Sequence, residues 1–169
     1  MLETAFANEN DSPGLLLWRV SNAWSAAQRA ALAPHGLTHP QFVLLASLSF
    51  LDHTGPVMQK DLAHHAGMDP MTTSQVLRAL ETKGLVERRP HPSDARARAV
   101  GVTPSGLALA NTTVVIVEAV DRAFFAPVDA SSARSVLAGL DAAHRRADLA
   151  GTEPDATPHP RQHGTPRSP

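Results

Sequence analysis

The sequence predicts a mainly α-helical fold with one small β-hairpin, a winged helix-turn-helix framed by N- and C-terminal dimerisation helices. Three observations carry this expectation. Two short helix candidates lie between Gln59 and Gly84, a basic alternating segment follows from Leu85 to Val102, and long helical apolar stripes flank both. The division expected is a flexible N-terminus at 1–12, a winged-helix domain at 13–148 and a disordered tail at 150–169. Within the domain, the winged helix-turn-helix takes 55–103, and the dimerisation helices take 14–33 and 104–149.

In chain order, the first dozen residues are polar and are expected to fray or to reach across a dimer. From Leu15 to Ala33, Leu17, Val20, Trp24, Ala27 and Ala31 recur at spacings of three and four, a stripe that calls for a helical partner. Pro34, Gly36 and Pro40 end it. Gln41–Leu51 is apolar on nearly every side, as a buried central helix would be. Asp52-His53-Thr54-Gly55-Pro56 has the composition of a turn.

The next helix, Gln59–Ala66, closes on Gly67, which tolerates the left-handed backbone of a tight helix exit. Asp69 can cap the exposed N–H groups of the following turn. Pro70 at the first helical position gives up a donor that would have no partner there anyway. On this second helix Thr73, Val76, Leu77, Leu80 and Gly84 share one arc and are expected to face the core. Met71, Ser74, Gln75, Arg78 and Thr82 share the opposite arc. Gln and Arg there suit the reading of base edges in a major groove; a merely solvated face is the alternative.

Leu85–Arg89 and Arg98–Val102 alternate like strands, and Pro90–Ala97 has hairpin-tip composition. Arg88, Arg89, Arg96 and Arg98 cluster on this ribbon, where guanidinium groups suit phosphate contacts and a narrow minor groove. Asp94 stands two residues before Arg96 and could hold it extended. Past the wing, Pro104–Phe125 carries the apolar set Leu107, Ala110, Val114, Val117, Ala119, Val120 and Phe124. Asp129-Ala130-Ser131-Ser132 can then cap a last helix running to about Leu149.

These residues resemble the MarR family of transcriptional regulators over about residues 13–148. The run Leu80-Glu81-Thr82-Lys83-Gly84-Leu85-Val86-Glu87-Arg88 is similar to the family's exit from the recognition helix into the wing. Asp94-Ala95-Arg96 is similar to its wing Asp and Arg, and Val102-Thr103-Pro104-Ser105-Gly106 to its Leu-Thr-x-x-Gly. The resemblance implies a dimeric DNA-binding regulator, here expected to be a repressor, in which Asp94 orders Arg96 for the minor groove. Many members carry Thr-Arg early in the recognition helix where this chain has Ser74-Gln75, so a guanine-reading arginine is absent. Gln75 instead suits adenine. The DNA-contacting set expected is Pro70, Met71, Thr72, Ser74, Gln75, Arg78, Arg88, Arg89, Asp94, Arg96 and Arg98. The family also implies a small, often aromatic ligand, and Trp18, Trp24, His35, His39, Phe42 and Phe50 are the candidates for its pocket. Ordinary core packing is the alternative for Phe42 and Phe50.

Double-stranded DNA and a second copy of the chain are thus the expected partners, and no cofactor is expected. The net charge is −1, but from Val57 to Thr103 seven Lys and Arg face five Asp and Glu, with the excess in the wing. No apolar run approaches the ~18 residues a membrane helix needs. The start Met1-Leu2-Glu3-Thr4 lacks a basic leader, so a cytoplasmic location is expected. Zero cysteines exclude a thiol switch. His64 and His65 are adjacent, about 100° apart on a helix, so they do not form a chelating i, i+4 pair and no metal site is expected. With no Gly-rich cofactor loop and no Ser/His/Asp elbow, an enzyme is not expected. The alternatives are a sequence-indifferent architectural DNA-binding protein and a metal-responsive regulator. The proline-rich tail, Pro154 to Pro169, cannot pack a core, though Arg161 and Arg167 could add weak DNA contacts.

Overall fold

A computed structural model describes residues 5–91 and 94–151. In chain order they form helices α1 (Pro13–Leu32) and α2 (His39–Leu51), strand β1 (Val57–Met58), helices α3 (Gln59–Ala66) and α4 (Pro70–Thr82), strands β2 (Val86–His91) and β3 (Asp94–Val102), and helices α5 (Pro104–Phe125) and α6 (Ala130–Gly151). The tail from 152 onward and the side chains of Asp94, Arg96 and Arg98 lie outside the described residues. Two compact units divide between Phe124 and Phe125.

Polar side chains start the helices where the sequence places them. Ser12 accepts from the Leu15 N–H at 3.3 Å, Asp69 from Thr72 at 2.9 Å and Asp129 from Ser132 at 2.8 Å. Thr38 and Gln41 form a reciprocal capping box at the start of α2. Hydrogen bonds from Thr72 hold the Asp69 carboxyl below the ordinary carboxylate range. The Ser131 hydroxyl, helped by Ser132, holds Asp129 lower still, at about 2. Folded values below the unfolded ones mean that each cap contributes fully above the ordinary range and is lost on acidification. For Asp129 that window runs from 3.8 down to about 2. The Ser132 amide resonance is therefore expected to titrate within it, and Asp129→Ala to abolish that titration.

In the first unit α2 is the central element. Its Leu44, Leu45 and Leu48 are fully buried against Leu32 of α1, Leu62 of α3, Leu77 and Leu80 of α4, and Ala110 and Val117 of α5. Burying each such leucine is worth about 1.5–3 kcal/mol, so the helix-turn-helix is held by packing more than by propensity. Val57, Val86 and Val100 close the same core from the sheet.

The sheet is antiparallel, in the order β1-β3-β2, with Val57 opposite Val100 and Val86 opposite Val102. The sequence suggested only the last two strands, because two residues are too few to show alternation. Gly84 also departs from expectation. It is exposed, lies beyond the end of α4, and its φ of 67° marks the turn into β2. The Gly84 and Leu85 carbonyls then receive the start of α5. Thr103 donates its N–H to Leu85 O at 3.1 Å and its hydroxyl to Gly84 O at 2.8 Å, and Ser105 donates to Gly84 O at 3.0 Å.

Candidate nucleic-acid interface

Helix α4 keeps one face outward because its other face is fully committed. Thr73, Leu77 and Leu80 are buried, and the Thr73 hydroxyl is spent on Asp69 O at 2.8 Å. At the far end Lys83 donates to Gly36 O at 2.6 Å and to Gln41 Oε1 at 2.8 Å, tying the exit of α4 to the start of α2. What remains points outward. Met71 is 73% exposed, Gln75, Arg78 and Pro70 are exposed, and Thr72 and Ser74 are half-buried. The side chains of Gln75 and Arg78 make no hydrogen bond or ion pair to any described residue, so their polar groups remain available to another molecule.

The wing arginines divide. Arg88 approaches Glu81 at 3.4 Å. Arg89 is held more closely: Nε donates to Glu87 at 2.8 Å and Nη2 to Val102 O at 3.2 Å, while Nη1 lies 3.7 Å from Asp52 Oδ2. Its guanidinium covers Gly101, where any Cβ would collide with it. The sequence suggests phosphate contacts for both arginines; the pairing of Arg89 with Asp52 leaves no mark there because Asp52 is remote in the chain. For Asp94, Arg96 and Arg98 the described geometry is that of the strand: Asp94 stands opposite His91 and Arg98 opposite Pro90.

The six residues proposed for a ligand pocket are not brought together. Trp24 and His39 meet edge to face at 4.8 Å. Beside them Asp121 Oδ1 accepts from Trp24 Nε1 at 2.8 Å and from Gln28 Nε2 at 2.7 Å, while the buried Gln28 Oε1 has no hydrogen-bond partner among the described residues. Burial lowers the pKa of His39, and the nearby Asp121 charge opposes that shift. Phe42 belongs to the core, His35 ends a 3-10 turn, and Trp18 is exposed on α1. Phe50, 63% exposed, stacks on His65 of α3 at 6.1 Å and meets His53 edge to face at 5.9 Å.

Phe50 also lines a cavity of about 400 Å³ between α2 and α5. Val102, Leu107 and Val114 add apolar wall, and Ser49, Asp52, His53 and Asn111 add polar groups. Of these residues only Phe50 stands out in the sequence as an aromatic pocket candidate; the rest become neighbours through the fold. Among the described residues no cluster of three or more His, Cys, Asp or Glu could hold a metal ion, and no helix is long and apolar enough to cross a membrane.

The MarR family model matches residues 37–97, from the turn before α2 into the wing. The chain is 40% identical over 136 residues to the uncharacterized HTH-type transcriptional regulator YdcH of Bacillus subtilis, covering 80% of this chain and 91% of that one. It is 36% identical over 126 residues to the HTH-type transcriptional repressor Rv2887 of Mycobacterium tuberculosis, covering 74% and 88% respectively. Among solved structures, CouR from Rhodococcus jostii RHA1 bound to p-coumaroyl-CoA superposes with a TM-score of 0.71 at 27% identity, over 80% of this chain and 93% of that one. Fold, sequence and architecture agree: the chain belongs to the MarR family of transcriptional regulators.

Proposed function

We propose that the chain is a homodimeric, cytoplasmic repressor that binds an inverted-repeat operator through residues 13–148 and is released by a small ligand. The observation that carries this reading is the outward face of α4, where Met71, Ser74, Gln75 and Arg78 stand on a helix immobilised from behind. A rigid helix presenting a free amide and a free guanidinium suits major-groove readout. Gln75 reads adenine, Met71 offers an apolar surface to a thymine methyl, and Arg78 contacts a base edge or phosphate. Pro70 and Thr72 bring the helix start to the backbone. Arg96, ordered by Asp94, enters the minor groove, and Arg98 and Arg88 add phosphate contacts. Arg89, paired internally, shapes the wing more than it contacts DNA.

Dimerisation is supported by apolar side chains left uncovered in one chain. Leu16, Leu17, Trp18 and Val20 of α1 are 44–66% exposed, and Val136, Leu137 and Leu140 of α6 are 47–63% exposed. Patches of this kind on a monomer mark an interaction surface. A two-fold dimer then places two copies of α4 in successive major grooves. Repression is supported by the mycobacterial relative, a transcriptional repressor, and ligand release by the ligand-bound state of CouR.

Binding to labelled duplexes of varied sequence and salt tests these roles. Gln75→Ala is expected to relax preference at one position of each half-site by about 1–3 kcal/mol. Arg96→Ala is expected to weaken binding to every sequence and to reduce the salt slope by about one per site, the mark of a lost backbone contact. An Arg96→Ala protein with unchanged affinity would remove the wing from the interface.

A further inference from the structure

Lys83 stands at the exit of α4, just before the wing, where an exposed ammonium would ordinarily be read as a phosphate contact. The structure uses it elsewhere. Its Nζ donates to Gly36 O at 2.6 Å and to Gln41 Oε1 at 2.8 Å, so two of its three donors are held by neutral oxygens 47 and 42 residues away in the chain. Gln41 is itself fixed, because the same side-chain oxygen accepts the Thr38 N–H at 3.2 Å in the capping box. Lys83 therefore closes on the first turn of α2 at a point with little freedom of its own. That turn is fastened on its other side as well. His39, the first residue of α2, meets Trp24 of α1 edge to face at 4.8 Å, and Trp24 and Gln28 share Asp121 of α5. Helix α1 carries the uncovered row Leu16, Leu17, Trp18 and Val20 on which dimerisation is proposed. The start of α2 thus joins the helix proposed to read DNA to a helix proposed to hold the partner chain.

We propose that Lys83 is a positioning residue that sets the tilt of α4 against this frame, and so fixes the half-site spacing that the dimer accepts. The proposal rests on the reading of the chain as a two-fold dimer on an inverted repeat. Leu77 and Leu80 anchor α4 along its inner face. Lys83 acts at the end of the helix, where Glu81, Thr82, Lys83 and Gly84 are all exposed and core packing gives out. Its thirteen residues make α4 about 20 Å long, so a pivot of about 10° at the exit carries Met71 through about 3 Å. One base pair of spacer moves a half-site by a similar amount, about 3.4 Å, and rotates it by about 35°. A single tie at the exit of α4 is therefore placed to decide whether the dimer tolerates an added or missing base pair. Lysine suits the position, because a compact ammonium can donate to two oxygens in different directions, whereas the guanidinium fork is planar.

The first test needs no DNA. The chain has no cysteine, so Met71→Cys places one spin label per chain on the outward face of α4, and pulsed electron resonance then reads the label-to-label distance in the dimer. Adding Lys83→Met is expected to broaden that distance distribution by about 3 Å or more, the displacement of the pivot. Gln41→Met, which removes one acceptor from the other side, is expected to broaden it less, and the double variant no further than Lys83→Met alone. Arg78→Met removes the same charge from the outward face and is expected to leave the width unchanged. The second test uses the unlabelled protein, the duplex enriched from a random library, and versions with one base pair added or removed between the half-sites. The native protein is expected to lose at least about tenfold in affinity on either change, and Lys83→Met about threefold or less, with its salt slope unaltered. A phosphate contact by Lys83 would instead lower affinity for every duplex and reduce the slope by about one per subunit. That result, an unchanged distribution in Lys83→Met, or equal broadening in Arg78→Met would each overturn the proposal alone. Absence of any label-to-label distance in the Met71→Cys protein would overturn the two-fold reading and the proposal with it.

Discussion

Gly106→Ala is expected to destabilise the protein by about 3 kcal/mol, against the usual direction of a glycine-to-alanine change in a helix. A Cβ at Gly106 would overlap the Leu85 carbonyl oxygen, with Leu85 C at 2.9 Å and Val102 Cγ2 at 3.0 Å. The obstructing atom is backbone, in a turn already pinned by Thr103 and Ser105, so it cannot rotate away. The gain in helix propensity, about 1 kcal/mol, is too small to offset displacement of α5 from the wing root. Gly139 of α6 provides an internal control, since nothing lies within 4 Å of its added Cβ. Gly139→Ala is expected to stabilise by about 0.5–1 kcal/mol. Urea denaturation of the two variants reads opposite signs if the close approach of α5 to Leu85 governs the effect; similar stabilisation by both would contradict it.

Asp121→Ala is expected to cost about 2–4 kcal/mol, because it strands two donors at once. Trp24 Nε1 and Gln28 Nε2 share Asp121 Oδ1, and Gln28 is fully buried with its carbonyl oxygen already unpaired. Losing the shared acceptor leaves the entire Gln28 amide unsatisfied inside the protein. Asp121→Asn keeps an oxygen in place and should lose markedly less. Chemical denaturation followed by tryptophan fluorescence separates the two, with Trp24 reporting the local change. A cost below about 1 kcal/mol for Asp121→Ala would mean that water replaces the carboxylate.

Local chemistry made much of the fold legible in the sequence. Gly67 and Pro70 punctuate the chain where α3 ends and α4 begins, and Pro104 marks the start of α5, because these residues act through their own backbone. The outward set on α4 was legible from period alone, since Thr73, Leu77 and Leu80 face inward as a helix requires. The contacts that join distant segments were not legible. Asp52 meets Val102 across 50 residues and Trp24 meets Asp121 across 97, and neither pair leaves a mark in local composition. Gly106 was recognisable as part of a family motif, yet the reason for glycine there is the Leu85 carbonyl, which only the docked helix reveals. The cavity was missed for the same cause: Ser49, His53 and Asn111 are ordinary polar residues until α2 and α5 pack together.

Sequence-specific recognition of DNA is the role proposed for α4. Selection of bound duplexes from a random library with the purified protein, followed by salt titration on the enriched sequence, measures this. The expected result is an inverted repeat with half-sites about one helical turn apart, carrying in each half-site an adenine whose preference disappears in Gln75→Ala. Uniform weak binding with no enriched sequence, or an enriched site indifferent to Gln75, would contradict it.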